Sequence, residues 1–353
     1  MLLFLLLLLL KSLIPVLSYN EPLHQGEFHN GSIISHRATN LTGRALVDYV
    51  NRKQSLWKAE YISHSSSFLK KRLMDTKYFD DTRTEKIKSR RNLDVELPER
   101  FDAREKWPEC PSISYIRDQS GCGSCWAVSS AGVMSDRACI QSNGTVKEHL
   151  SDTDILACCG ESCGKGCLGG VMDKAFEYAM TSGVCTGGRY REQSCKPYAF
   201  YPCGQHQNQP FYGDCPDEEE GPFPTPKCRA RCRLRYPRSY EEDKVFAESY
   251  YSLENDEKEI MYEIMTNGPV ATTFMVYEDF EFYKTGVYEH TSGWLVGLHA
   301  VRVIGWGVEG ETPYWLIANT WNTDWGENGY FRFLRGKDHC KIEGRMKAVM
   351  MKV

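Results

Sequence analysis

The chain opens on an unbroken apolar run, Met1–Leu10, followed by Lys11 and a short stretch to Ser18. Such a run is too short to span a bilayer. It suits the hydrophobic segment of a secretory leader ending at small Ser18, although the charged residues that commonly precede one are missing. No other stretch is long and apolar enough to span a membrane. Thr42–Ala59 reads as a helix: Thr42 can cap it, and Leu46, Val50 and Trp57 fall on one stripe. Residues 62–94 are polar, with Lys70-Lys71-Arg72 and Arg90-Arg91 as exposed basic steps of a kind readily cut. Trp126 to about Gln141 predicts a helix, mostly buried because its start is so apolar. Residues 172–182 predict a second, ending before Gly183. Asp256–Thr266 predicts a third, capped by Asn255 and stopped by Asn267-Gly268-Pro269. The texture then changes to strands at Ala271–Tyr277, Ala300–Trp306, Tyr314–Asn319 and Tyr330–Leu334. Between the two textures, residues 195–240 are irregular and rich in proline, and stretches this long without regular structure usually carry function. Helices first and strands later predict an α+β enzyme of two subdomains with its site between them.

Charge divides the chain near the end of the polar stretch. Residues 19–94 hold 14 Lys/Arg against 9 Asp/Glu, whereas residues 95–353 hold 28 against 38. All fifteen cysteines lie at or after Cys110. A basic, cysteine-free piece and an acidic, cysteine-dense piece would attract each other. An odd cysteine count behind an apolar leader implies an oxidising compartment, a disulfide framework and at least one unpaired thiol. The sequons Asn30-Gly-Ser, Asn40-Leu-Thr and Asn143-Gly-Thr fit the same route. Cys158, Cys159, Cys163 and Cys167 have a spacing that loosely suits zinc, but a secreted chain more often oxidises such cysteines. Arg229, Arg231, Arg233, Arg235 and Arg238 read as a solvated loop paired with Asp217–Glu220, ahead of a surface for glycosaminoglycan or nucleic acid.

The chemistry concentrates in Gln119-Ser120-Gly121-Cys122-Gly123-Ser124-Cys125-Trp126. It places Cys125 at the first turn of a predicted helix, where positive partial charge and unpaired N–H groups favour thiolate. Those N–H groups and the Gln119 amide could meet the oxyanion of a tetrahedral intermediate. A cysteine nucleophile needs a base and a group to orient that base. His299 sits at the mouth of a predicted strand. Asn319 lies at the end of the next, so adjacent antiparallel strands could join them, with the Trp321 ring shielding their hydrogen bond.

These motifs, with Leu298-His299-Ala300 and Ala318-Asn319-Thr320-Trp321, resemble the papain-like cysteine peptidases. Within that family the chain is most similar to the cathepsin B group. The likeness rests on Phe101-Asp-Ala-Arg, Ile116-Arg-Asp-Gln, Cys158-Cys159-Gly, Gly305-Trp-Gly-Val-Glu, Thr312-Pro-Tyr-Trp-Leu and Trp321-Asn-Thr-Asp-Trp-Gly. It runs from residue 97 to about 345, and residues 40–60 resemble the group's propeptide.

The resemblance implies a leader (1–18), an inhibitory propeptide (19–94) lying through the cleft, and a peptidase domain (95–353). That domain would have a mainly helical subdomain, a β-barrel-like subdomain and a cleft between them. Gln119 would donate to the oxyanion, Cys125 attack, His299 act as base and acid, and Asn319 orient it. Gly169, Gly170, His206, Leu298, Trp321 and Arg345 would line the substrate groove. Six disulfides follow from the likeness: Cys110–Cys139, Cys122–Cys167, Cys158–Cys228, Cys159–Cys163, Cys195–Cys232 and Cys203–Cys215. Cys125 and Cys340 would stay free, and Cys185, without a counterpart, reads as buried and apolar. No cofactor or metal is implied. The implied partners are peptide or protein substrates, the chain's own propeptide and cystatin-like inhibitors, and not nucleic acid. The implied setting is the secretory pathway, lysosomal or secreted, and an acidic compartment suits a low-pKa thiol paired with imidazolium.

Three departures bear on selectivity. In the cathepsin B group a loop, here Cys203–Cys215, closes the primed side of the cleft, and two histidines grip the substrate's C-terminal carboxylate. Here His206 is kept but its neighbour is Gln205, and the loop has no arginine. Asp118 and Asp324, the acids that would pin it, are thus expected to lack their mates. That predicts a mobile loop, weak release of C-terminal dipeptides and stronger endopeptidase activity. Arg345 stands where the group has a glutamate, at the base of the pocket for the second residue before the scissile bond, and predicts rejection of basic side chains there. Leu298 replaces a glycine beside the base and should crowd the cleft. The competing reading is an impaired relative that only binds peptides or inhibitors; it would need a broken catalytic set, and none of the four residues is broken.

Overall fold

Burial on both faces makes Leu295–Glu309 the spine of the molecule: every residue from Gly297 to Gly307 is buried. A strand covered on both sides reads as a continuous apolar run rather than an alternation. The computed structural model describes residues 40–61, 67–79 and 95–353, all within one unit, Ser35–Val353. The leader, Asn30, Arg90-Arg91 and the expected processing region lie outside the described residues.

In chain order the helices are α1 (Gly43–Lys53), α2 (Ser67–Arg72), α3 (Ala103–Lys106), α4 (Pro111–Ser114), α5 (Cys125–Gln141), α6 (Asp152–Cys158), α7 (Met172–Thr181) and α8 (Glu257–Asn267). The strands are β1 (Trp57–Ala59), β2 (Phe101–Asp102), β3 (Phe246–Ser252), β4 (Val270–Tyr277), β5 (Tyr283–Tyr288), β6 (Leu295–Glu309), β7 (Thr312–Ala318), β8 (Tyr330–Leu334) and β9 (Lys347–Lys352). They form one sheet in the order β1-β5-β8-β7-β6-β4-β9-β3, with β2 also on β6. Only β5 and β8 pair in parallel. Among the described residues no helix is long and apolar enough to cross a membrane.

The α+β expectation holds, and among the described residues two large cores form beside a small cluster of Cys185, Cys195 and Tyr240. One gathers around α5, whose residues from Cys125 to Cys139 are all buried. The other lies under the sheet and is dense in aromatic rings, including Phe274, Phe280, Tyr283, Phe331 and Phe333. Buried ion pairs stitch the halves together: Arg302 of β6 to Asp136 of α5 at 2.6 Å, and Arg137 of α5 to Glu263 of α8 at 3.1 Å.

Several elements differ from the expectation. The helix expected over Thr42–Ala59 stops at Lys53. Gln54 turns extended and its side chain bonds the Val50 and Trp57 carbonyls and the Trp57 N–H, so the chain leaves the helix for β1. Thr42 makes no side-chain cap. Leu46, Val50 and Trp57 are all buried, but Trp57 reaches the core from a strand. The cap of α8 is Asp256, which accepts from the Glu259 N–H at 3.0 Å, not Asn255. His299 lies inside β6 rather than at its mouth, because residues 295–299 already pair with β4. β1, β2, β3, β5 and β9 lie outside the expected strands.

All six disulfides form as the resemblance implies, which excludes zinc binding by the Cys158–Cys167 group. Cys125, Cys185 and Cys340 are free and buried. Cys185 does not sit in apolar surroundings: its N–H donates to Asp154, and Asp243 lies beside its sulfur. The expected pairing of the arginine run with Asp217–Glu220 is also absent among the described residues. Arg233 instead caps the Arg191 and Glu192 carbonyls, and Arg238 pairs with Glu148 and Asp243.

Candidate active site

Four elements meet at the cleft. The turn 119–124 feeds α5, so Cys125 is the first residue of a helix whose opening N–H groups point toward it. Ser129 of α5 donates to the Ala300 carbonyl at 2.8 Å and holds the helix against β6. β6 carries His299, and β7 runs antiparallel beside it, with Arg302 opposite Ala318. Asn319 follows directly on β7.

His299 Nε2 donates to Asn319 Oδ1 at 2.7 Å. The Thr320 N–H donates to the same oxygen at 2.8 Å, which fixes the amide's orientation and hence the imidazole tautomer. His299 Nδ1 has no hydrogen-bond partner among the described residues. The Trp321 ring lies 4.6 Å from the imidazole, centroid to centroid, and Phe274 closes the other side at 5.9 Å. The bond between His299 and Asn319 is therefore dry, as the sequence suggests.

Gln119 is held as a donor. Its Oε1 accepts from the Thr320 hydroxyl at 2.6 Å and the Trp321 indole N–H at 3.1 Å. Its Nε2 is thereby turned toward the cleft, where it donates to the Arg72 carbonyl at 2.7 Å and the Cys122 carbonyl at 2.8 Å. The Thr320 hydroxyl thus helps set the direction of the amide.

The Arg72 carbonyl belongs to a segment that fills the cleft. Met74 exchanges two backbone hydrogen bonds with Leu298, at 2.9 and 3.0 Å. Leu298 is fully buried in one cluster with Met74, Cys125 and Ala300, so it crowds the cleft as expected. Gly169 takes a φ of +121°, and a Cβ there would lie 2.7 Å from the Tyr78 ring. At Gly170 a Cβ would strike the Trp126 ring at 2.5 Å, so this glycine serves close packing of the cleft wall. At one end Lys71 donates to the Pro216 and Asp217 carbonyls; at the other the Arg345 guanidinium stacks 3.5 Å over Phe79. The sequence placed these residues in a readily cut polar stretch. The apolar Leu69, Leu73, Met74 and Phe79 were the signal that part of it is packed.

Burial under this segment controls the protonation states. It pushes the Cys125 thiol up to about 12, outweighing the N–H groups of Ala300, Trp126 and Cys125 itself. It pushes the His299 imidazole down to about 4, against the Asn319 hydrogen bond. The pair is neutral in this state, not the thiolate–imidazolium pair expected from sequence, because both charged forms have lost their water.

The loop corrects a further expectation. Asp118 and Asp324 are not without mates, since His206 serves both. Its Nδ1 lies 3.1 Å from Asp324, and its Nε2 lies 3.5 Å from Asp118 and 3.1 Å from the Cys203 carbonyl. Burial would lower this imidazole, but the Asp324 hydrogen bond and the charges of both acids win and hold it above its usual value. Gln209 and Asn322 add a paired-amide contact at 2.7 Å. The loop is therefore latched rather than loose, and the latch occupies both ring nitrogens of His206. Gln205 is exposed and reaches only the His206 carbonyl.

Comparison with known proteins shows the family. The profile described as "Papain family cysteine protease" matches residues 97–350. "Cathepsin B-like cysteine proteinase 5" of Caenorhabditis elegans is 47% identical over 317 residues, covering 88% of this chain and 91% of that protein. "Cathepsin B-like cysteine proteinase 1" of Ostertagia ostertagi is 46% identical over 314 residues, covering 87% and 89%. Among solved structures, "proCathepsin B S9 from Trypanosoma congolense" matches with a TM-score of 0.73 and 36% identity, covering 90% of this chain and all of that one.

Proposed function

Because this chain belongs to the papain family of cysteine proteases and is cathepsin B-like, we propose that it is made as a zymogen and matures into an endopeptidase acting through Cys125, His299 and Asn319. The observation that carries this reading is the bond between His299 and Asn319 under Trp321, with Cys125 at a helix start packed in one cluster with Leu298 and Ala300, and the Gln119 amide already holding a carbonyl. In the proposed mechanism the Cys125 thiolate attacks a peptide carbonyl. Gln119 Nε2 and the Cys125 N–H hold the oxyanion, and His299 passes its proton to the leaving amine. His299 then takes a proton from water, which hydrolyses the thioester.

Residues 19–94 are the proposed inhibitor. The polarity of the bound segment supports this. Residues 71–72 lie at the loop end and 78–79 at the Arg345 end, whereas the resemblance has a substrate enter with its N-terminal residues at the Arg345 end. A segment lying backwards can occupy Gln119 without offering its carbonyl for productive attack. The apolar leader and the six disulfides support passage through the secretory pathway, to lysosome or outside the cell.

Profiling of the matured enzyme with endopeptidase and dipeptide-release substrates tests the reading. With both His206 nitrogens engaged, capture of a substrate's C-terminal carboxylate has to break the latch, so release of C-terminal dipeptides is expected to be at least about tenfold slower than internal cleavage. Dipeptide release as fast as internal cleavage would refute this. At the second residue before the scissile bond, Arg345 should repel arginine and stack on phenylalanine, as it does on Phe79. Phe-Arg substrates are expected to be cleaved at least about tenfold better than Arg-Arg, since like charges brought together cost more than about 1.4 kcal/mol. Arg345→Glu should reverse that order, and a preference for Arg-Arg in the unaltered enzyme would sink the assignment.

A further inference from the structure

The two ends of the cleft carry opposite charge. At one end stands Arg345, over an aromatic ring. At the other, two consecutive basic side chains of the bound segment are buried, Lys71 at 6% exposure and Arg72 at 2%. Buried basic side chains need compensation, and the surroundings of these two provide part of it, although burial still holds the Arg72 guanidinium below its usual value. The Lys71 ammonium donates to the carbonyls of Pro216 and Asp217, at the start of the acidic run Asp217–Glu220. The Arg72 guanidinium rests 4.0 Å from both sulfurs of the Cys203–Cys215 disulfide. The carboxylates of Asp118, Asp324 and Glu281 bring their charge to bear on it. Burial pushes the Glu281 carboxyl up to about 7, so Asp118 and Asp324 supply most of the negative charge. Among the described residues they face one competing cation, His206, so the pocket stays electronegative when the segment leaves.

We propose that this loop end is a subsite for basic side chains. The matured enzyme then selects peptides with lysine or arginine among the first two residues after the scissile bond, with neutral or aromatic residues on the Arg345 side. The inference rests on the peptidase reading above, which fixes the direction in which a substrate lies. The pro-segment docks Lys71 and Arg72 into sites that a substrate's basic residues occupy later, which ties latency and selectivity to the same carboxylates.

The test uses enzyme matured from the full chain and quenched peptides that differ only at those two positions, carrying Lys-Arg, Ala-Ala or Glu-Glu, assayed near neutral pH. The Lys-Arg peptide is expected to be cleaved with a kcat/KM about tenfold or more above Ala-Ala, and Glu-Glu below both. In Glu281→Gln and Asp324→Asn the Lys-Arg to Ala-Ala ratio falls, while the Ala-Ala rate reports on the fold of each variant. Equal rates, or preference for Glu-Glu, with Ala-Ala cleaved, overturn the subsite and leave the peptidase reading standing. If no peptide is cleaved, the peptidase reading fails. Titration of the same protein with acetyl-Lys-Arg-amide and acetyl-Glu-Glu-amide then decides the subsite, and equal or absent binding overturns it.

Discussion

Replacing Cys125 by alanine is expected to abolish turnover by the matured enzyme, by about four orders of magnitude or more, and to leave the full chain unable to mature itself. The sulfur is the proposed bond-forming atom, and nothing else in the cleft can replace it: Cys185 and Cys340 are buried elsewhere. Alkylation reads the same residue before and after maturation. In the full chain the thiol is pushed up to about 12 and the imidazole down to about 4, both by burial. Near pH 6 thiol and imidazole are therefore both neutral, and a thiol alkylator reacts slowly. Removing the segment returns water to both groups, so the thiol falls, the imidazole rises and the ion pair becomes accessible. One equivalent of iodoacetamide should then silence the matured enzyme. Turnover surviving in Cys125→Ala, or rapid alkylation of Cys125 in the uncut chain, would show the assignment to be wrong.

Trp57→Ala should loosen the pro-segment more than any other single change outside the cleft. Trp57 is 1% exposed, rests 5.1 Å from the Tyr288 ring and 6.0 Å from Tyr283, and donates its indole N–H to the Glu289 carbonyl at 2.9 Å. Its strand pairs with β5, where Gly286 leaves room for the close approach of the Trp57 backbone. Truncating a buried tryptophan costs about 3–5 kcal/mol. Charged to docking alone, that weakens inhibition on the order of 10²–10⁴-fold. The uncut variant should hydrolyse a small Phe-Arg substrate that the parent leaves alone, and should mature faster. Unchanged latency in a folded variant would mean that the cleft residues, not this anchor, hold the segment.

The site was more legible than its surroundings. Cys125, His299, Asn319 and Gln119 were readable because a thiol nucleophile needs particular groups at particular chain positions, and those positions carry sharp local motifs. α7 and α8 were readable because one buried face leaves a periodic trace, and α5, buried all round from Cys125 to Cys139, because its start is so apolar. β1, β2, β3, β5 and β9 were not: β3 and β5 mix buried and exposed residues without strict alternation, and β1 and β2 have only three and two residues. The loop latch was misread for a different reason. Counting partners by residue type assigned one mate to each aspartate, whereas a single imidazole with two nitrogens can serve two acids at once. The neutrality of Cys125 and His299 was also out of reach, since it depends on a distant segment that covers them.

The contacts of that segment reach past inhibition. Leu46, Val50, Trp57, Leu69 and Leu73 belong to the same buried cluster as the sheet's aromatic residues, so under the proposed maturation the cut would fall across one continuous hydrophobic core. Excision removes core side chains without the chance to refold around their loss. What remains is held by the disulfides and the height of its unfolding barrier, and so persists through slow kinetics more than through a favourable equilibrium. A mature enzyme once unfolded would then have no route home, and the bound segment would act, under the proposed maturation, as a template for folding as well as a plug.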